Sequence, residues 1–290
     1  MQNPTSRHTR PVSPPLQPLP PGAWDTHAHV FGPFDRFPLL PVRRYNPPFS
    51  PVQDHLAMLD TVGFARASLV HSSANGYDNS GTADALAVSG GRTVGVCVVQ
   101  PDISDADLQR LHDQGFRAIR ATETGARAAG HAGAASLTDL EALAPRMRAL
   151  GWHAQLWANC SFTVANADRL AALGLPVVLD HMGYFDAALG VDDATFQALL
   201  ARMRDGQFWI KLSVVRISKE RPLYNNIRPF HDAVLEANPD RALFGSDWPY
   251  ISLDEAPPDV GKLVDLFDAW TPDVALRKKV FVENPNTLFG

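Results

Sequence analysis

Ala23-Trp-Asp-Thr-His-Ala-His-Val30 is a short extended run carrying two imidazoles, His27 and His29, two residues apart. Side chains along a β-strand alternate between faces, so both imidazoles project to one side and converge on one point. The rest of the chain says what that side is. Seven further apolar or β-branched runs follow, at 65–71, 93–99, 116–121, 152–158, 176–181, 208–213 and 241–247, most of them separated by a helix-length amphipathic stretch. This alternation predicts parallel strands linked by helices. Eight such strands predict an α/β chain folded as a (β/α)8 TIM barrel, whose interior receives the two histidines. An open doubly wound sheet is the alternative, but its GxGxxG phosphate-binding fingerprint is absent from the sequence.

Helix punctuation agrees. Ser104 precedes the periodic Leu108 and Leu111, Thr138-Asp-Leu-Glu141 reads as a capping box, and Gly115 and Gly151 mark helix ends. With 290 residues, of which 45% are hydrophobic, the chain suits one barrel domain over 22–290, preceded by a proline-rich N-terminal arm over 1–21. The net charge of −5, with 26 basic and 31 acidic residues in no long runs, argues against a nucleic-acid partner and for a small molecule. Neither a signal peptide nor a membrane span is legible, and Cys97 and Cys160 read as buried thiols, so the expected location is the cytoplasm. The sequence is silent on oligomeric state.

Catalysis in a TIM barrel sits at the C-terminal ends of the strands. The first run ends in His27 and His29, the sixth in Asp180-His181, and the eighth in Asp247-Trp-Pro249. Three histidines and a carboxylate therefore share one rim.

These residues, with Trp24-Asp-Thr-His-Ala-His-Val-Phe-Gly-Pro33, Gly115-Phe-Arg-Ala-Ile-Arg120, Val178-Leu-Asp-His-Met-Gly183, Lys211-Leu-Ser213, Leu243-Phe-Gly-Ser-Asp-Trp-Pro249 and Glu283-Asn-Pro-Asn286, resemble the amidohydrolase superfamily over most of 23–290. Within it the resemblance is to a branch of lactonases that work without metal and take part in aromatic compound catabolism. Many other members hold one or two divalent metals with the strand-1 histidine pair, a strand-4 lysine or glutamate, histidines on strands 5 and 6, and the strand-8 aspartate. This chain departs from that pattern. Arg120 occupies the strand-4 rim and cannot ligate a metal. Trp157 occupies the strand-5 rim, while His153 lies about 13 Å lower at 3.3 Å per residue. The expectation is catalysis with no cofactor; one zinc on His27, His29 and Asp247, plus water, remains the alternative.

The resemblance implies hydrolysis of a carboxylated lactone of the pyrone dicarboxylate kind. Asp247 is the candidate general base that activates water, and His27, His29 and His181 are candidates to polarise the carbonyl, best if charged. Arg120, Arg127 and Arg216 would clamp substrate carboxylates in bidentate fashion. Tyr45 in the long loop 32–51, His71 and Ser73 after the second run, and Trp157 as a stacking face complete the substrate-binding candidates. Three other functions stay open: a sugar-acid lactone isomerase or lactonase, a metal-dependent decarboxylase of the same superfamily, and a binding barrel without catalysis.

Overall fold

Each of the eight predicted runs coincides with a strand, the fourth strand reaching two residues beyond its run. The computed structural model describes residues 10–124, 133–253 and 256–290, so Arg127 lies outside the described residues. The strands are β1 (Trp24–Ala28), β2 (Arg66–Val70), β3 (Thr93–Cys97), β4 (Phe116–Glu123), β5 (His153–Ala158), β6 (Val177–Leu179), β7 (Phe208–Leu212) and β8 (Ala242–Phe244). They pair in chain order, every neighbour parallel. A bridge between Ala28 and Trp248 closes the sheet on itself. The Asp247 amide donates to the His27 carbonyl at 2.8 Å, and the Thr26 hydroxyl donates to the Phe244 carbonyl at 2.7 Å across the same seam.

The outer ring holds α1 (Val52–Val62), α2 (Ser80–Val88), α3 (Asp105–Asp113), α4 (Leu137–Ala149), the short pair α5 (Cys160–Ala165) and α6 (Ala167–Ala172), α7 (Ala194–Arg204), α8 (Arg228–Ala237) and α9 (Val260–Trp270). Two short C-terminal helices follow, α10 (Val274–Lys278) and α11 (Asn284–Phe289). Ser104 caps α3 as expected, accepting from the Asp107 amide. The capping box of α4 falls earlier than Thr138 and Glu141: Ser136 is the N-cap and Asp139 returns the bond. Both four-residue windows fit the motif, and Ser136 takes the cap because the helix already begins at Leu137.

β6 and β8 are each three residues long, shorter than their apolar runs. The backbone leaves the strand conformation just above them, with φ +48° at His181 and +64° at Asp247. Such left-handed values cost energy for residues other than glycine and gather at functional sites. β1 carries a register irregularity between Asp25 and Ala28, a stretch that includes His27; bulges of this kind re-aim side chains beside active sites.

Inside the barrel, Val70, Val96 and Ala118 form one apolar group and Val178, Trp209 and Leu243 another. The bottom is plugged by α11: Phe289 stacks on Trp24 at 5.3 Å, and the Trp24 indole donates to Asn286 Oδ1 at 2.9 Å. Part of the proline-rich arm lies along α9 and α10. The Ser13 amide donates to Asp259, the Leu16 amide to Asp265, and Arg277 to the carbonyls of Gln17 and Pro18. No helix of the described residues is long and apolar enough to cross a membrane.

Candidate active site

The top of β1 supplies His27 and His29, whose Nε2 atoms lie 3.3 Å apart. Asp247 faces them from the seam with β8. Its Oδ1 is 3.7 Å from His27 Nε2 and 3.6 Å from His29 Nε2, while Oδ2 accepts from Arg216 Nε at 2.5 Å. The loop above β6 places the His181 ring 4.8 Å from that of His27, with Nδ1 3.4 Å from Ser213 Oγ. The predicted quartet is therefore one cluster, and all four residues are buried.

Electrostatics divides it into charged and neutral members. Burial alone would raise the Asp247 carboxyl, but Arg216, then His181, hold it well below the usual carboxylate range. Burial lowers the pKa of His181 to about 4, and that of His27 well below the ordinary value, the latter helped by the charge on Lys211. Near neutral pH these two rings are uncharged, which corrects the expectation of cationic histidines at the carbonyl. Burial wins because an imidazolium would give up its hydration for neighbours that already carry counter-charges.

Arg120 and Arg216 each pair with a carboxylate of the protein. Arg120 Nε donates to Asp180 Oδ2 at 2.7 Å, and its guanidinium sits 5.0 Å over the Trp157 ring. Arg216 also donates to the Ile251 carbonyl at 2.6 Å. Trp157 meets His181 edge-on at 6.0 Å. The Tyr45 hydroxyl reaches Ser72 Oγ at 2.7 Å and Ser73 Oγ at 3.4 Å, so the loop after β1 is tied to the loop after β2. His71 stands apart: its Nε2 pairs with the Gly76 carbonyl at 2.9 Å and its Nδ1 with Thr82 Oγ1 at 3.2 Å, which leaves neither nitrogen for a substrate.

Below the quartet lies a polar layer that sequence reasoning left without a role. Lys211, fully buried in β7, donates to Gln155 Oε1 at 2.6 Å and His27 Nδ1 at 3.1 Å, and pairs with Asp180 Oδ1 at 3.0 Å. Asp25 accepts from the Ser246 hydroxyl at 2.5 Å and the Ser246 amide at 2.9 Å, fixing the residue next to Asp247. A signal existed for Lys211. It is the one charge in Phe-Trp-Ile-Lys-Leu, and period-two counting puts it inward with Trp209.

Among the described residues, His27, His181 and Asp247 offer ligand atoms all within 4.8 Å of one another. His181 thus takes the place that the zinc alternative gave to His29. The set fits a divalent ion poorly. Arg216 occupies one Asp247 oxygen, Lys211 hydrogen-bonds His27, and Arg120 adds a third cation on Asp180.

A closed parallel barrel with histidines and an aspartate on its C-terminal rim defines a TIM-barrel hydrolase, and the chain belongs to the amidohydrolase family, whose sequence profile matches residues 24–290. It is 37% identical over 287 residues, covering 93% of this chain and 91% of the relative, to 2-pyrone-4,6-dicarboxylate hydrolase of Comamonas testosteroni. It is 36% identical over 276 residues, 94% and 91% of the two chains, to 4-sulfomuconolactone hydrolase of Rhizobium radiobacter. A crystal structure of a probable 2-pyrone-4,6-dicarboxylic acid hydrolase from Acinetobacter baumannii, with citric acid bound, superposes with a TM-score of 0.82 at 26% identity, covering 93% of this chain and 99% of that one.

Proposed function

We propose that this chain opens the ring of a carboxylated lactone by hydrolysis, with Asp247 as general base and with no metal. The observation that carries this reading is the Asp247 carboxylate. One oxygen is fixed by Arg216, while the other has no hydrogen bond among the described residues and faces the histidine pair. A water held at Oδ1 gives up a proton to it and attacks the lactone carbonyl carbon. Neutral N–H groups of His27 and His181 stabilise the oxygen as it gains charge, in a site where such donors are strong because water is excluded. The acyl–oxygen bond then breaks, and the proton returns from Asp247 to the departing ring oxygen. The names of the relatives at 37% and 36% identity support a lactone as the substrate class.

Arg120 suits a carboxylate on that lactone. Only its Nε has a protein acceptor among the described residues, so its two terminal nitrogens can meet an anion, with the Trp157 ring beside them for a flat substrate to lie against. Arg216 would bind a second carboxylate only by sharing its charge with Asp247.

The test follows the ultraviolet band of 2-pyrone-4,6-dicarboxylate in the presence of chelator-dialysed protein, with Asp247→Asn as control. Loss of the band with wild type alone supports the reading. Activity that returns only on adding zinc overturns the metal-free mechanism, and no activity under either condition overturns this substrate.

A further inference from the structure

His27 is squeezed between two neighbours that demand the same thing of it. From below, the Lys211 ammonium donates to His27 Nδ1 at 3.1 Å. From above, His29 Nδ1 lies 2.7 Å from the Val70 carbonyl, which can only accept, so a neutral His29 carries its proton on Nδ1 and presents a bare Nε2. In that form its Nε2 lone pair lies 3.3 Å from His27 Nε2. Two lone pairs facing each other at this distance repel, whereas a proton on His27 Nε2 turns the contact into a hydrogen bond.

We propose that Lys211 is a positioning residue that holds His27 with its proton on Nε2, the atom turned toward Asp247. The competing arrangement, with Nδ1–H donated to Asp180, has a poor geometry. Asp180 Oδ1 lies 3.2 Å from His27 Nδ1 but accepts no aligned hydrogen bond. Lys211 is itself held by Gln155 Oε1 at 2.6 Å, and this fixes the amide so that its NH2 faces His153 Nε2 at 3.2 Å. The ammonium therefore has no freedom to release Nδ1 without leaving a buried donor unpaired.

Two consequences follow for His27. It enters the reaction as a hydrogen-bond donor beside the general base, which is what a developing oxyanion needs. It also lacks a free Nε2 lone pair, so a metal could use His27 only by driving its proton to Nδ1 against the Lys211 charge. Removing that charge should let zinc bind.

The test begins with wild-type protein carrying 15N-labelled histidine, the His27 signals being identified by their loss in His27→Gln. A protonated Nε2 with a bare Nδ1 supports the proposal, and a protonated Nδ1 overturns it, whether or not any variant folds. In Lys211→Met only the His29 contact still favours the Nε2 proton, so the Nδ1–H form, absent in wild type, should become populated beside Asp180, and calorimetry should show zinc binding tighter than in wild type. A spectrum that still shows the Nε2–H form alone, or unchanged zinc affinity, overturns the role given to Lys211. The kinetic arm rests on the lactonase reading: kcat should fall on the order of 100-fold with KM little changed, and an unchanged kcat overturns the catalytic importance of the tautomer. A wild-type protein with the expected spectrum but no lactonase activity leaves this inference standing and defeats the substrate reading instead.

Discussion

Lowering the pH from 7.5 to 5.5 should destabilise this protein severely, because so many of its histidines are buried without charge. Burial brings His55 and His153 to about 3 and His71, His181 and His231 to about 4. In the unfolded chain each takes up its proton near 6.5, whereas the folded chain does so only near its lowered value. Stability is therefore lost as pH falls through 6.5. At pH 5.5 each group costs about 1.4 kcal/mol, and the five together roughly 7 kcal/mol. His27 works in the same direction. Asp25 opposes them: burial raises it to about 6, so the folded state gains a proton there first and recovers roughly 0.8 kcal/mol. Asp180 and Asp247, held low in the folded state, lose their contribution only below the ordinary carboxylate range and do not act in this window. The net loss of roughly 6 kcal/mol compares with a total stability of about 5–15 kcal/mol for folded domains. Urea unfolding at the two pH values measures it directly, and melting should shift downward by on the order of 15 °C. Stability flat across this interval would refute the assignment of neutral buried histidines. A His55→Leu variant refines the test: neither ring nitrogen of His55 has a hydrogen bond among the described residues, so the variant should lower proton uptake on unfolding by about one.

Asp247→Asn should keep the fold, since asparagine tolerates the left-handed backbone at this position, and should lower turnover by on the order of 100-fold or more, read from the lactone absorbance. Because Asp247 stays ionised far into acid, the acid limb of kcat/KM should coincide with unfolding followed by circular dichroism. A limb near pH 7 in protein that is still folded would contradict the Arg216–Asp247 pairing. Gly245→Ala would place a methyl 2.9 Å from His27 Cβ, and the displaced imidazole should reduce kcat on the order of 100-fold while a urea titration shows a folded barrel. Arg120→Lys removes planar two-point recognition, so KM for a carboxylated lactone should rise on the order of tenfold.

The barrel was legible because each strand is a compact apolar run and the linking segments carry helix signals. The histidine pair was legible because a spacing of two has only one meaning on a strand. Asp247 and His181 were found by their place at the ends of those runs, although the backbone had already turned out of the strand at both. The polar layer beneath was harder. Lys211, Asp180 and Gln155 come from β7, the end of β6 and β5, and nothing local in any of these segments names the other two. The same limit applies to the arginines. Sequence shows a cation near a rim, but whether it meets a substrate or a protein carboxylate depends on which strand end lies across the barrel, as Arg120 with Asp180 and Arg216 with Asp247 demonstrate.

The seam between β1 and β8 ties the chemistry to the order in which the chain is made. His27 and His29 leave the ribosome among the first residues of the barrel, yet the strand that completes their surroundings ends at Phe244, and the closing bridge needs Trp248. Until then β1 has an unpaired edge, and the two imidazoles lack the Asp247 carboxylate. A sheet that lacks β8 leaves the edge of β1 unpaired, and such an edge is open to pairing with another chain. Closing the barrel and bringing Asp247 to the histidine pair are therefore one event.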